Sequence, residues 1–139
     1  QAIQFVNEMK AGQPGTPGNW YQLAIELIST GELIGDCAFQ ILRDDSRQAE
    51  IGVTLSRRYQ GHGYALEGLT RLLEYLFGEL ELHRVRANVD PQNQASIRLL
   101  ERLGFRHEGR FIESWFLKGA WCDEDWYAML RREWQARGQ

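Results

Sequence analysis

The sequence predicts a single mixed α/β domain: a mostly antiparallel sheet flanked by helices. Three observations carry that prediction. Apolar and polar residues alternate through the early chain and again near its end, the two-residue period of half-buried strands. In the middle the period turns helical twice, with one strand-like run between the two helices. The chain has 139 residues, of which 43% are hydrophobic and 25% charged, enough apolar material for one core without staples.

The elements follow in order. Residues 1–11 (QAIQFVNEMKA) read as the tail of an amphipathic helix whose apolar residues are Ile3, Phe5, Val6 and Met9. A Gly/Pro loop covers residues 12–19. WYQLAIELI then alternates around Leu23, Ile25 and Leu27. A turn at Ser29-Thr30-Gly31-Glu32 sends the chain back as LIGDCAFQIL, giving a hairpin. After a polar turn at 43–48, EIGVTL (50–55) is a third strand. An Arg- and Gly-rich loop, 56–63, leads into a helix over 64–78, with Leu66, Leu69, Leu73, Leu76 and Phe77 on one face. HRVRANV (83–89) alternates as a strand. Asp90-Pro91 turns the chain, Asn93 caps a helix that runs to Leu103, and Gly104 stops it. Two last strands, 105–116 and 126–131, are joined by KGAWCDED. Repeats and low-complexity segments are absent from the sequence.

A net charge of -3 and a pI near 5.6 disfavour nucleic acid as a partner, because phosphate binding needs clustered Lys and Arg. The same balance suits an amine-bearing substrate. No apolar run has the length of a membrane span, and no secretory signal is visible. Cys37 and Cys122 belong to no CxxC or Cys/His cluster, so no metal is expected. They read as reduced thiols of a cytoplasmic protein. The chain opens on Gln1, not on methionine, which leaves room for a preceding segment.

Arg57-Arg58-Tyr59-Gln60-Gly61-His62-Gly63-Tyr64-Ala65 joins a strand to a helix, the place where an anion docks. Free backbone N–H groups and the positive end of the helix dipole favour negative charge there. Glycines let a ligand come close to the backbone, and Arg57 and Arg58 can add charge-assisted bonds. A dinucleotide fingerprint fails because Leu66 stands where its third glycine belongs. A Walker-type loop fails because Leu69 stands where its lysine belongs. The pattern Q/R-x-x-G-x-G/A is met by Gln60, Gly63 and Ala65. A turn whose glycines only relieve strain is the alternative.

QGHGYALEGLTRLLEYLF resembles motif A of the GNAT N-acetyltransferases, and ANVDPQNQASIRLLERLGF resembles their motif B, with its N-x-x-S and terminal L-G-F. HEGRFIESWFLKGAWCDEDWYAML is similar to the C-terminal strands of the RimJ/RimL-type branch, which acetylates ribosomal-protein N-termini. TGELIG and AEIGVTLS are similar to its earlier strands. The resemblance covers residues 20–130, approximately. It implies one domain over residues 1–139 with the GNAT acyl-CoA N-acyltransferase fold, a twisted sheet splayed at the motif A strand. That family opens with a strand and a helix ahead of the segment that starts here. The chain is therefore expected to be N-terminally short and to lack the first strand, its sheet edge completed in another way, such as by a partner in a homodimer.

The resemblance further implies acetyl-CoA as the coenzyme, lying between strands 50–55 and 84–89. Backbone N–H groups of Gln60, Gly61, His62, Gly63, Tyr64 and Ala65 would take the pyrophosphate, with Arg57 and Arg58 beside them. Gly52, Val53 and Thr54 would serve the pantetheine and polarise the acetyl carbonyl. Asn93 is expected both to cap its helix and to touch the coenzyme. A primary amine, on a small molecule or a peptide, would attack directly, helped by proximity. That amine must lose a proton, at a pKa of about 7.7–8.0 for an α-amino group and about 10.4 for lysine. Candidate bases are Glu113 and Glu50, then Asp36; each reads equally as a solvated strand residue. Trp115 occupies the position that aligns with the branch's usual carboxylate. Ser96 is the expected proton donor to the departing thiolate, or else a first-turn serine bonding the backbone. Tyr127 is another candidate acid, or else a core tyrosine. His62 reads as an exposed loop residue, and His83 and His107 have no assigned role. Trp20 and Trp115 are candidates for the acceptor pocket. Asp123-Glu124-Asp125 reads as a solvated turn, or as an attractor of a cationic acceptor. The competing reading is a non-catalytic acyl-CoA-binding or sensor module.

Overall fold

The computed structural model describes residues 2–7 and 17–137. Seven strands form one sheet: β1 (Ile3–Asn7), β2 (Tyr21–Leu27), β3 (Leu33–Ile41), β4 (Gln48–Leu55), β5 (Arg84–Val89), β6 (Arg106–Leu117) and β7 (Ala120–Leu130). Their spatial order is β1-β2-β3-β4-β5-β7-β6. Every neighbouring pair is antiparallel except β4 and β5, which run parallel. Helix α1 (Tyr64–Leu73) makes the crossover between that pair, α2 (Gln94–Leu103) links β5 to β6, and α3 (Arg131–Ala136) follows β7.

The helices pack on one face of the sheet. Gly68 permits the close approach: a Cβ there would lie 3.3 Å from Cys37 Sγ and 3.4 Å from Ile25 Cδ1. Leu69, Leu72 and Leu73 of α1 and Leu100 and Leu103 of α2 join Ile25, Phe39, Ile51 and Val85 in one core. Trp134 of α3 stacks on Phe77, with ring centroids 5.9 Å apart. Because strand side chains alternate, the opposite face carries the polar set: Gln40, Gln48, Glu50, Arg84, Arg86 and Asn88. Among the described residues no helix covers that face, and no helix is long and apolar enough to cross a membrane. Burial in the sheet pushes the Cys37 thiol up to about 12, with the neighbouring Asp36 carboxylate adding to it.

Several expectations need correction. Residues 3–7 form a strand, not a helix; residues 8–11 of that expectation, and 12–16 of the loop, lie outside the described residues. IQFVN fits the two-residue period as well as a helical one, and pairing with β2 from Ile3↔Leu27 to Asn7↔Leu23 satisfies the backbone groups that β2 would otherwise leave open. The sheet edge at β2 is thus completed by β1, from within the chain. Arg71 secures it from α1, donating to the Ile3 carbonyl at 2.7 Å and lying 5.5 Å from the Phe5 ring centroid. The helix expected over 64–78 is α-helical only to Leu73. Glu74–Glu79 continue as a π-helical turn, closed by the Leu80 N–H on the Tyr75 carbonyl at 3.0 Å. The last hairpin is tighter than expected. β7 begins at Ala120 and is joined to β6 by Lys118 and Gly119 alone, both at positive φ. The acidic run Asp123-Glu124-Asp125 is therefore strand, not turn. α3 was not expected from the sequence at all.

Candidate functional site

The parallel pair defines the site. β4 and β5 are in register from Gln48↔Arg84 to Ile51↔Ala87, and the pairing stops there although β4 continues to Leu55. The strands part, and an open cleft of about 220 Å³ lies between them. Gly52 and Val53 of β4, Asn88 of β5, and Asn93 and Ser96 at the start of α2 line it. The expected opening and four of the expected residues, Gly52, Val53, Asn93 and Ser96, thus share one place, while Thr54 lies farther along β4 and is exposed. A Cβ on Gly52 would meet nothing within 4 Å, so the strand presents bare backbone to the cleft.

The loop lies at the same end of the sheet. After a 3-10 turn at Arg57–Tyr59, the Gln60 side-chain amide donates to the Leu55 carbonyl at 3.3 Å and ties the loop to the end of β4. Gly61 and Gly63 are left-handed, with φ of 81° and 83°. Gly63 is the N-cap of α1 and has no side chain to offer the first-turn amides. A Cβ on either glycine would project into open space. Uncapped amides facing free volume at a helix start fit a pyrophosphate group. His62 stacks on Tyr64 at 5.5 Å, and its Nδ1 lies 3.1 Å from the Gln60 carbonyl. Arg57 and Arg58 are exposed beside the loop; Arg58 is 3.9 Å from Glu32 and sits over the Tyr59 ring.

Asn93 caps α2, its Oδ1 accepting the Ser96 N–H at 3.1 Å. The cap uses the serine's backbone and leaves its hydroxyl out. Gly104, at φ 100°, ends the helix. The candidate bases differ in their surroundings. Glu50 accepts from Arg86, whose Nη2 is 3.1 Å away, and the Arg86 guanidinium lies 4.7 Å from the Trp126 ring centroid. Glu113 is exposed on β6, the far edge strand, in a bulge between Phe111 and Trp115. Its φ is 46°, and its N–H donates to Asp123 Oδ1 at 2.7 Å. Asp36 pairs with Thr54 across β3 and β4. Tyr127 is buried on β7 against His107, ring centroids 5.0 Å apart, and burial raises its pKa. Trp115 is exposed on the hairpin, as is Trp20 ahead of β2.

Sequence reasoning gave no role to Asn88 and none individually to Glu124 or Asp125, which it read only as part of an acidic run. Asn88 was legible in principle, since in RVRANV it shares the phase of Arg84 and Arg86. Among the described residues Asp125 is the one buried charged residue, opposite Val89 at the end of β5. Arg110 grips it with two bonds, 2.8 and 3.1 Å, and this holds the Asp125 carboxyl below its usual range against the opposing effect of burial; His107 adds to the lowering. A carboxyl with a depressed folded-state pKa contributes stability above its unfolded value of about 3.9 and loses it as pH falls through the folded value. Asp125→Asn is therefore expected to flatten the fall of Tm on acidification below about pH 4. Thermal melts of both proteins over that range test this, and parallel slopes would exclude Asp125 from the acid limb.

Comparison with known proteins agrees with this geometry. The acetyltransferase (GNAT) domain family matches residues 1–106. An N-acetyltransferase named p20 from Bacillus licheniformis is 34% identical over 131 residues, which is 94% of this chain and 71% of that protein. The ribosomal protein uS5-alanine N-acetyltransferase of Escherichia coli is 32% identical over 104 residues, 74% of this chain and 54% of that enzyme. The chain thus spans from about half to about seven-tenths of the curated relatives' length. Among solved structures, a mutant form of the spermidine/spermine N-acetyltransferase SpeG of Vibrio cholerae superposes with a TM-score of 0.77 at 27% identity, over 86% of this chain and 72% of that one. A match covering residues 1–106, on a sheet that splays at its parallel step beside a glycine-capped helix, means that the chain belongs to the GNAT acetyltransferase family.

Proposed function

We propose that the chain moves the acetyl group of acetyl-CoA to a primary amine, on a peptide N-terminus or a small molecule, by direct attack in a ternary complex. One observation carries the reading. The splay of β4 from β5 opens bare strand backbone at Gly52 and Val53, the Ser96 turn of α2, and the uncapped start of α1 to the same end of the sheet. When bound, acetyl-CoA supplies the thioester whose carbonyl carbon the amine attacks. The chain's own residues do the rest. Amides of the Gln60–Ala65 stretch and the guanidinium groups of Arg57 and Arg58 hold the pyrophosphate. Backbone N–H groups of the 52–54 stretch face the acetyl oxygen and stabilise charge developing there. The Ser96 hydroxyl, free of the cap, is placed to give a proton to the leaving sulfur, and Asn93 fixes that turn.

The acceptor reading draws on relatives that act on ribosomal-protein and spermidine amines. The test is calorimetric titration of the chain with acetyl-CoA, with NADH and ATP as controls, followed by transfer assays with a panel of primary amines. Binding of acetyl-CoA alone, with transfer, is expected. Binding without transfer to any amine would leave a non-catalytic acyl-CoA-binding module, and no binding would remove the coenzyme assignment.

A further inference from the structure

The amine needs a proton acceptor, and the geometry points to Glu124 as that group, a role resting on the transferase reading above. α1 and α2 close one side of the cleft through Leu69, Ser96, Leu99 and Leu100, and the loop that would hold the coenzyme's phosphates starts α1. An acceptor must then arrive from the helix-free face. Three carboxylates are candidates from sequence, and among the described residues none is both clear of a counter-charge and hydrogen-bonded to a residue of the cleft. Glu50 is on the right face, but its Oε1 is committed to Arg86. Glu113 is on the edge strand, with β7 and β5 between it and the cleft. Asp36 belongs to β3, on the far side of β4.

Glu124 meets the requirement. It lies on β7 just beyond the Val89↔Asp125 pair, at the level where β5 ends and the cleft opens. Its side chain is on the helix-free face, because it accepts at Oε2 from the side-chain amide of Asn88, and Asn88 is a residue of the cleft. The Ser114 hydroxyl donates to the other oxygen at 2.8 Å. Both donors are neutral, and among the described residues Glu124 forms no ion pair with Lys or Arg, unlike Glu50. The bulge at Glu113 has a purpose here. By inserting extra residues between Phe111 and Trp115 it brings Ser114 across to Glu124, and Asp123 pins the bulge through the Glu113 N–H. The charged residues beside it in sequence and register are Asp123 and Asp125 on β7, the latter held by Arg110, and Glu113 in the bulge; Arg86 of β5 is bonded to Glu50. Such a half-buried carboxylate, oriented by two neutral donors and left unneutralised, attracts an ammonium and can take its proton.

An ammonium R–NH3+ gives one proton to Glu124, and the neutral nitrogen forms the C–N bond at the thioester carbon. As the C–S bond breaks, the Ser96 hydroxyl gives its proton to the thiolate and is restored by the second proton that leaves the nitrogen. The proton held by Glu124 returns to solvent. The products are the amide, the free thiol and one proton.

The experiment uses the full chain with acetyl-CoA and an amine that the wild type acetylates. Glu124→Gln keeps the shape and the Asn88 bond. It is expected to bind acetyl-CoA within about threefold of wild type yet to lose about 10²-fold in kcat/KM at pH 7. Its rate should climb about tenfold per pH unit toward the amine's own pKa, whereas the wild type levels off earlier. Glu124→Asp, which keeps the charge, should recover part of the loss. A Glu124→Gln protein with wild-type kcat/KM and pH profile would overturn the assignment, as would equal losses in both variants with the wild-type profile kept. Failure of the wild type to acetylate any amine would overturn the transferase reading and this role together. Transfer by the wild type with an indifferent Glu124→Gln would overturn this role alone.

Discussion

Gly63→Val is expected to weaken acetyl-CoA binding by about 10³-fold while the domain still folds. Gly63 holds φ 83° and ψ 2° as the N-cap of α1, in the left-handed region. An L side chain there costs about 1–2 kcal/mol, a fraction of the ~5–15 kcal/mol that holds a domain of ordinary stability. No packed neighbour is disturbed, since a Cβ at Gly63 has nothing within 4 Å. That same empty space is where the pyrophosphate is proposed to sit. The valine methyls would fill it and turn the amides away. Losing two charge-assisted hydrogen bonds at about 2 kcal/mol each gives about 10³-fold. Calorimetric titration with acetyl-CoA, beside a thermal melt, measures both halves. Unaltered binding by a folded Gly63→Val protein would disprove the loop assignment.

Gly35→Ala is expected to do the reverse, damaging the fold first and binding as a consequence. A Cβ on Gly35 would lie 2.1 Å from the Thr54 carbonyl oxygen and 2.9 Å from Leu55 Cα. Both are backbone atoms of β4 and cannot swing aside. β3 and β4 would have to separate at the Gly35↔Leu55 pair, where β4 delivers the chain to the coenzyme loop. Overpacking against backbone costs about 3 kcal/mol or more, a fall in Tm of about 10 °C for a domain of this size. Differential scanning calorimetry checks it. A Tm within a degree or two of wild type would show that the two strands slide apart at little cost.

These two glycines mark what the sequence made legible and what it hid. Gly63 stood out, because a glycine-spaced loop between a strand and a helical period has few physical meanings. Gly35 did not, since its constraint comes from a strand some twenty residues on and no local pattern reveals it. The same division runs through the fold. The hairpin of β2 and β3, the amphipathic α1 and the Asn93 cap with its Gly104 stop are local devices, and their positions were readable. β1 was misread because five alternating residues satisfy two periods, and only pairing with β2 decides between them. The acidic run at 123–125 reads as a turn because charge looks solvated in isolation, whereas it is strand. The partners that make it strand, Arg110, Asn88 and Ser114, come from β5 and β6. The cleft residues carried by motifs were found, whereas those created by tertiary hydrogen bonds were not.

The single parallel step also shapes how the domain must assemble. Gln48 and Arg84 meet across it although they are 36 positions apart in sequence, bonded at 3.1 Å, whereas antiparallel neighbours such as β2 and β3 are closed by a short turn. Closing the longer loop is the larger entropic barrier, and contacts of that span form late. Gly52 and Val53 stand on one side of this junction and Asn93 and Ser96 on the other, so neither half of the cleft exists as a site until the crossover has closed. A ligand that bridges the two halves would bind only chains that have closed this crossover, and would draw the population toward them.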